Sequence, residues 1–177
     1  MPEPALATAC DDDRSWAHLD TLKVGRYGEY FAKMALVRAG FDVYAPEVDD
    51  RAIDLILRLD GAPPRYLDVQ VKTLRTVKPT YLFLRKKHFT LAPNRYLALV
   101  LLREGAEPDM FLVPSRVWLN PAAPFSSRDY EGRKSEPEYG LIVSPEALRT
   151  LERYRFRGAA FARSLTDPDN PADGTHG

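Results

Sequence analysis

The stretch Leu67-Asp68-Val69-Gln70-Val71-Lys72 alternates apolar and polar residues without a break. Period two is the pattern of a β-strand with one face in a core. Leu67, Val69 and Val71 take the buried face. Asp68, Gln70 and Lys72 line the other, roughly 7 Å apart at each step of two residues. An acid, an amide and an ammonium in a row suit a solvated surface, and equally half of an active site. The outcome depends on whether carboxylates elsewhere in the chain can join them.

A chain of 177 residues is enough for one domain with a real core and too short for two comfortable ones. The longest apolar run, Tyr96 to Leu102, falls well short of the roughly 20 residues of a membrane helix and reads as a buried strand. The acidic, core-less N-terminus carries no secretory signal pattern. A single cysteine, Cys10, excludes an internal disulfide and a Cys-rich zinc site. Together these point to a cytoplasmic protein with no membrane partner.

Formal net charge is zero, which counts against a dedicated nucleic-acid binder. The charge is unevenly spread, however. Between Arg65 and Arg95 lie Lys72, Arg75, Lys78, Arg85, Lys86 and Lys87, with Asp68 the only acid. Between Asp42 and Asp60 the balance is acidic, with Glu47, Asp49, Asp50 and Asp54. An acidic cluster beside a basic stretch suits metal ions facing a phosphate backbone. A solvated surface with random clustering fits the charge alone as well.

Taken in order, residues 1–20 read as a loose tail in which Trp16 and Leu19 dock on the domain. Asp20 or Thr21 caps a helix that runs to about Ala39 and stops at Gly40. Its apolar stripe is Val24, Tyr27, Phe31, Met34 and Ala35, widened by Tyr30 and Val37. Glu29 sits in this helix near small residues, and either pairs with Arg26 or Lys33 or serves a site. Phe41 to Tyr44 is a short strand. Ala52 to Leu59 is another, carrying Asp54 on the face opposite its leucines. Asp60 to Pro64 turns into the alternating strand. Tyr81 to Leu84, Tyr96 to Leu102, Asp109 to Val113 and Tyr139 to Val143 read as further strands, and Pro114 to Leu119 as one helical turn. Asn120 to Pro137 reads as an exposed loop. Ser144 caps a helix with Pro145 at its first position, running to about Phe156. Residues 21–157 form the domain and 158–177 a second tail. The expected fold class is α/β, a mixed β-sheet flanked by helices.

The ordered set Gly25-x-x-Gly28-Glu29, Asp54 and Gln70-Val71-Lys72 resembles the PD-(D/E)XK nuclease superfamily, over about Thr21 to Leu102. It is similar to that family's Holliday-junction-resolvase-like and intron-endonuclease-like branches, some of which carry Gln at this place. The resemblance implies a restriction-endonuclease-like fold and Mg²⁺- or Mn²⁺-dependent hydrolysis of DNA phosphodiester bonds. It implies Glu29, Asp54 and Gln70 as metal ligands and Lys72 as the residue that orients or deprotonates the attacking water. Arg75, Lys78, Arg85, Lys86 and Lys87 would contact phosphates without reading sequence. A homodimer would suit a two-strand cutter. The sequence departs from the family where Gln70 replaces Asp or Glu, and where Ile53 replaces the Pro usual before the first Asp.

Two rival readings stand beside the nuclease. One is a catalytically inactive protein on the same fold that binds nucleic acid or a partner protein, favoured by Gln70 and the zero net charge. The other is an unrelated interaction domain in which Glu29 is a surface ion pair. His88 reads as a surface histidine and Trp118 as core.

Overall fold

The structure is a computed structural model that describes residues 15–48, 51–75, 78–132, 134–159, 161 and 165. The acidic run Asp11 to Asp13, Cys10, Asp49, Asp50 and most of the expected C-terminal tail lie outside the described residues. No described helix is long and apolar enough to cross a membrane.

A helix, α1 (Thr21–Arg38), opens the domain. Asp20 caps it, its side chain accepting from the Lys23 N–H at 2.8 Å. Five strands form a mixed sheet in the order β1 (Asp42–Tyr44), β2 (Leu55–Leu59), β3 (Arg65–Leu74), β5 (Arg95–Leu101), β6 (Asp109–Pro114). Only β3 and β5 run parallel among these pairs. The chain between them leaves the sheet and forms β4 (Thr80–Arg85). That strand joins β7 (Phe125–Arg128) and β8 (Glu138–Val143) in a separate three-stranded sheet, in the order β4-β8-β7.

The mixed α/β architecture is therefore as expected, with an addition. Helix α1 covers one face of the main sheet, and the small sheet covers the other together with α2 (Pro145–Leu151). Two apolar cores result. The first holds Val24, Ala32 and Leu36 of α1 against Leu57, Val69, Val71, Ala98 and Val100. The second holds Leu97, Leu99 and Phe111 against Leu82, Leu84, Trp118, Leu141 and Val143. Strand β5 feeds both, so every residue of it is buried. A strand covered on both faces must be apolar throughout.

Three expectations are corrected. The stripe of α1 that meets the sheet is Val24, Gly28, Ala32 and Leu36. Tyr30, Met34 and Val37 face outward and are more than half exposed. The cause is a close approach: a Cβ on Gly28 would stand 1.8 Å from Thr73 Oγ1. The helix sets Gly28 and Ala32 nearest the sheet, while Tyr27, Phe31 and Ala35 of the expected stripe pack half-buried at the edge of the same core. Second, the segment expected as one exposed loop contains β7, whose Phe125 is buried beneath Trp118. Third, the last helix ends at Leu151 and continues as a single 3₁₀ turn, Glu152–Tyr154. Its cap is as expected, the Ser144 hydroxyl accepting from the Ala147 N–H at 3.1 Å. Trp16 docks as expected, its ring N–H donating to the Arg103 carbonyl and its ring lying against Tyr27.

Candidate active site

Strand β3 is longer than its neighbour. Its residues 65–69 pair with β2, and no β2 residue pairs with 70–74. The chain peels away at Asp54, just before β2 begins. Asp54 N–H still donates to the Val69 carbonyl at 2.9 Å. Beyond that, its carboxylate takes the place of a strand partner: Val71 N–H donates to Asp54 Oδ2 at 2.6 Å. The half-buried carboxylate is thereby fixed against β3 between Val69 and Val71. A charged acceptor on a backbone N–H is among the stronger hydrogen bonds.

Extrapolating the β2–β3 register by one residue sets Asp54 opposite Gln70. Alternation puts Gln70 and Lys72 on the face away from α1, since Val69 and Val71 pack in the first core. Their parallel partners on β5, Leu97 and Leu99, belong to the second core. Gln70 is only 7% exposed, and its Oε1 is buried with no hydrogen-bond partner. An orphaned buried amide oxygen is costly and calls for a donor or a cation. Lys72 is half-buried one step further along the same face.

Glu29 lies differently. It belongs to α1, on the other face, and its Oε2 accepts from Arg26 Nη1 at 2.7 Å. It follows Gly28, which rests on Thr73, the residue after Lys72. The backbone of Glu29 is thus close to the part of β3 that β2 leaves bare. The structure brings Asp54, Gln70 and Lys72 to one stretch of β3 and leaves Glu29 in an ion pair beside it. Among the described residues no three His, Cys, Asp or Glu side chains gather as a metal site.

A cleft of about 390 Å³ opens alongside, lined by Arg51, Ile53, Asp68, Lys87, His88, Thr90, Ala92 and Arg95. Asp68 accepts the Asn94 side-chain amide at 3.5 Å. Arg95, which the sequence reading passed over, organises this region. It is 5% exposed and stacks over the Phe89 ring. Its Nη2 donates to the carbonyls of Ala52 at 2.6 Å, Arg51 at 3.1 Å and His88 at 3.3 Å. The first two of those carbonyls belong to the segment that delivers Asp54, where Ala52 adopts φ 50°, and the third to the β4–β5 connection. The signal was in the sequence: an arginine opening a fully apolar strand must find acceptors at once.

The basic residues expected to meet phosphates have varied surroundings. Arg75 is a structural clamp, donating to the carbonyls of Trp16, Ala17 and Leu19 ahead of α1. Lys78 is exposed. Arg85, Lys86 and Lys87 end β4 and face the β7–β8 connection. Arg85 meets Glu138 at 3.2 Å, Lys86 meets Asp129 at 2.6 Å and Lys87 meets Glu136 at 2.6 Å. The hydrogen bond from Lys87, with its charge and those of Arg85 and His88, lowers the Glu136 pKa below the ordinary carboxylate value. Trp118 is core as expected, its ring N–H donating to the Gly140 carbonyl at 2.9 Å.

No family model and no curated protein matches this chain. Among solved structures it is similar to a Holliday junction resolvase, Hjc, from the archaeal hyperthermophile Archaeoglobus fulgidus. That likeness has 15% identity and a TM-score of 0.45, over 78% of this chain and 95% of the other. It is also similar to a bacterial homing endonuclease, with 15% identity and a TM-score of 0.48, over 84% of this chain and 97% of the other.

Proposed function

We propose that this chain is a metal-dependent endonuclease of PD-(D/E)XK type, acting on DNA, with Asp54, Gln70 and Lys72 as its central residues and Glu29 as an accessory acid. The observation that carries the reading is the Asp54 carboxylate. It is pinned by the Val71 N–H at the point where β2 leaves β3, next to Gln70, whose amide oxygen is buried without a partner.

The donor set fits a hard cation. A carboxylate and an amide oxygen are ligands of the kind Mg²⁺ and Mn²⁺ accept, with water completing the shell. Asp54 and Gln70 would hold the ion, and Glu29, on the α1 side of the sheet, would hold a water of its shell on giving up Arg26. When bound, the ion would polarise the phosphoryl oxygens and compensate the leaving oxygen's charge. The remaining chemistry belongs to the chain. Lys72 would orient the attacking water and steady the charge growing on the phosphate. Asp54, already held by a main-chain donor, would keep its geometry without reorganisation. Arg51 and Lys87 line the adjoining cleft beside Asp68, and their charges suit a phosphate backbone.

A second reading keeps the fold and drops the chemistry, leaving a protein that binds nucleic acid or a protein partner. The neutral Gln70 and the Glu29–Arg26 pair favour it. The two are separated by measuring Mg²⁺- and Mn²⁺-dependent cleavage of single strands, duplexes, flaps and four-way junctions. Cleavage that needs metal and disappears in Asp54→Asn and in Lys72→Ala supports the nuclease. Binding without cleavage on every substrate supports the second reading.

A further inference from the structure

We propose that Asp129 and Glu136 act as internal phosphate mimics. They occupy the cations at the end of β4 until a nucleic-acid backbone displaces them. This rests on the nucleic-acid reading above.

Three consecutive cations, Arg85, Lys86 and Lys87, meet three acids from the β7–β8 connection and the start of β8. The acids are not equivalent. Glu138 is 5% exposed and built in, accepting from Tyr81 Oη at 2.9 Å, Tyr130 Oη at 2.8 Å and Arg85 Nη1 at 3.2 Å. Arg85 is therefore a structural cation. Asp129 and Glu136 are the opposite case, with side chains 63% and 50% exposed. Each holds its lysine by one contact of 2.6 Å, and Glu136 also stands 3.6 Å from Arg85 Nε. Lys86 is held from beneath by the Tyr139 ring at 4.9 Å, whereas Lys87, with its side chain 56% exposed, stands at the rim of the cleft that Asp68, His88 and Arg95 also line.

Exposed ion pairs of this kind are weak and are screened by salt. A polyanion gains counterion release when it takes over a lysine, which an isolated carboxylate does not offer. The carboxylates therefore keep the two ammonium groups ordered and discourage small anions, yet yield to a phosphate backbone.

The test uses the full chain and a fluorescent DNA duplex without divalent metal, followed by anisotropy across a salt series. Asp129→Asn/Glu136→Gln is compared with wild type and with Asp60→Asn/Glu146→Gln, which removes the same charge elsewhere. The expected result is binding tighter by about three- to tenfold in the first variant, beyond the control, at low salt. The gain should disappear when Lys86→Gln and Lys87→Gln are added. A gain no larger than the control's, or one that survives loss of both lysines, overturns the inference while binding by wild type leaves the nucleic-acid reading standing. No binding by any variant at any salt overturns both.

Discussion

The two glycines of Gly25-x-x-Gly28 look alike in sequence and have opposite surroundings. A Cβ at Gly28 would stand 1.8 Å from Thr73 Oγ1, 2.8 Å from its Cβ and 2.9 Å from its Cγ2. Rotating Thr73 moves the first and third atoms but not the second, so α1 or β3 itself must shift. Overpacking of this kind costs about 1–3 kcal/mol, and the distances place this case at the upper end. Alanine recovers about 1 kcal/mol of helix propensity. Gly28→Ala should therefore destabilise by a net of about 1–2 kcal/mol. Gly25 has nothing within 4 Å of its would-be Cβ. Gly25→Ala should stabilise by up to about 1 kcal/mol. Urea denaturation of the two variants with wild type measures both, and an unchanged slope assigns the shift to stability. Thr73→Ala removes two of the three clashing atoms and should recover part of the Gly28→Ala loss. A Gly28→Ala protein as stable as Gly25→Ala would refute the close helix–strand approach on which the placement of Glu29 depends.

Other perturbations test the rest of the site. Arg95→Met keeps the apolar stem but strips the donor from the Arg51, Ala52 and His88 carbonyls. It should cost about 2–4 kcal/mol in denaturation, and under the proposed activity should slow cleavage more than it weakens DNA binding. Ser144→Ala removes the acceptor for the Ala147 N–H and should lower stability by about 1 kcal/mol, read from the urea midpoint. The pKa values of Asp20, Glu136 and Glu152 are lowered by the Lys23 N–H, by Lys87 and by Arg155 respectively. Folded values below unfolded ones mean a stabilising contribution that is complete above the ordinary carboxylate range and is lost as pH falls through the folded values. The urea midpoint should accordingly hold from pH 7 to about pH 5 and drop below about pH 4; a midpoint that rises on acidification would contradict these pairings.

Much was legible along the chain because it is written in local period and local chemistry. The alternation of Leu67 to Lys72, the unbroken apolar run of β5 and the caps Asp20 and Ser144 each act within a few residues, so they survive without tertiary knowledge. The same alternation placed Gln70 and Lys72 on one face and set Asp54 away from its leucines. What the sequence could not decide was what lies across space. Nothing local distinguishes Gly25 from Gly28, and the rotation of α1 followed from which glycine met Thr73. Strands β4 and β8 have ordinary strand sequences and β7 reads as loop, yet the three form a second sheet because both faces of β5 need apolar cover. The side chains that complete the region come from distant positions: Arg95 holding the approach to Asp54, Asp129 and Glu136 on Lys86 and Lys87, and Arg26 on Glu29. A charge in the sequence declares only that it must be solvated or paired; the partner is chosen by the packing of the elements that carry it.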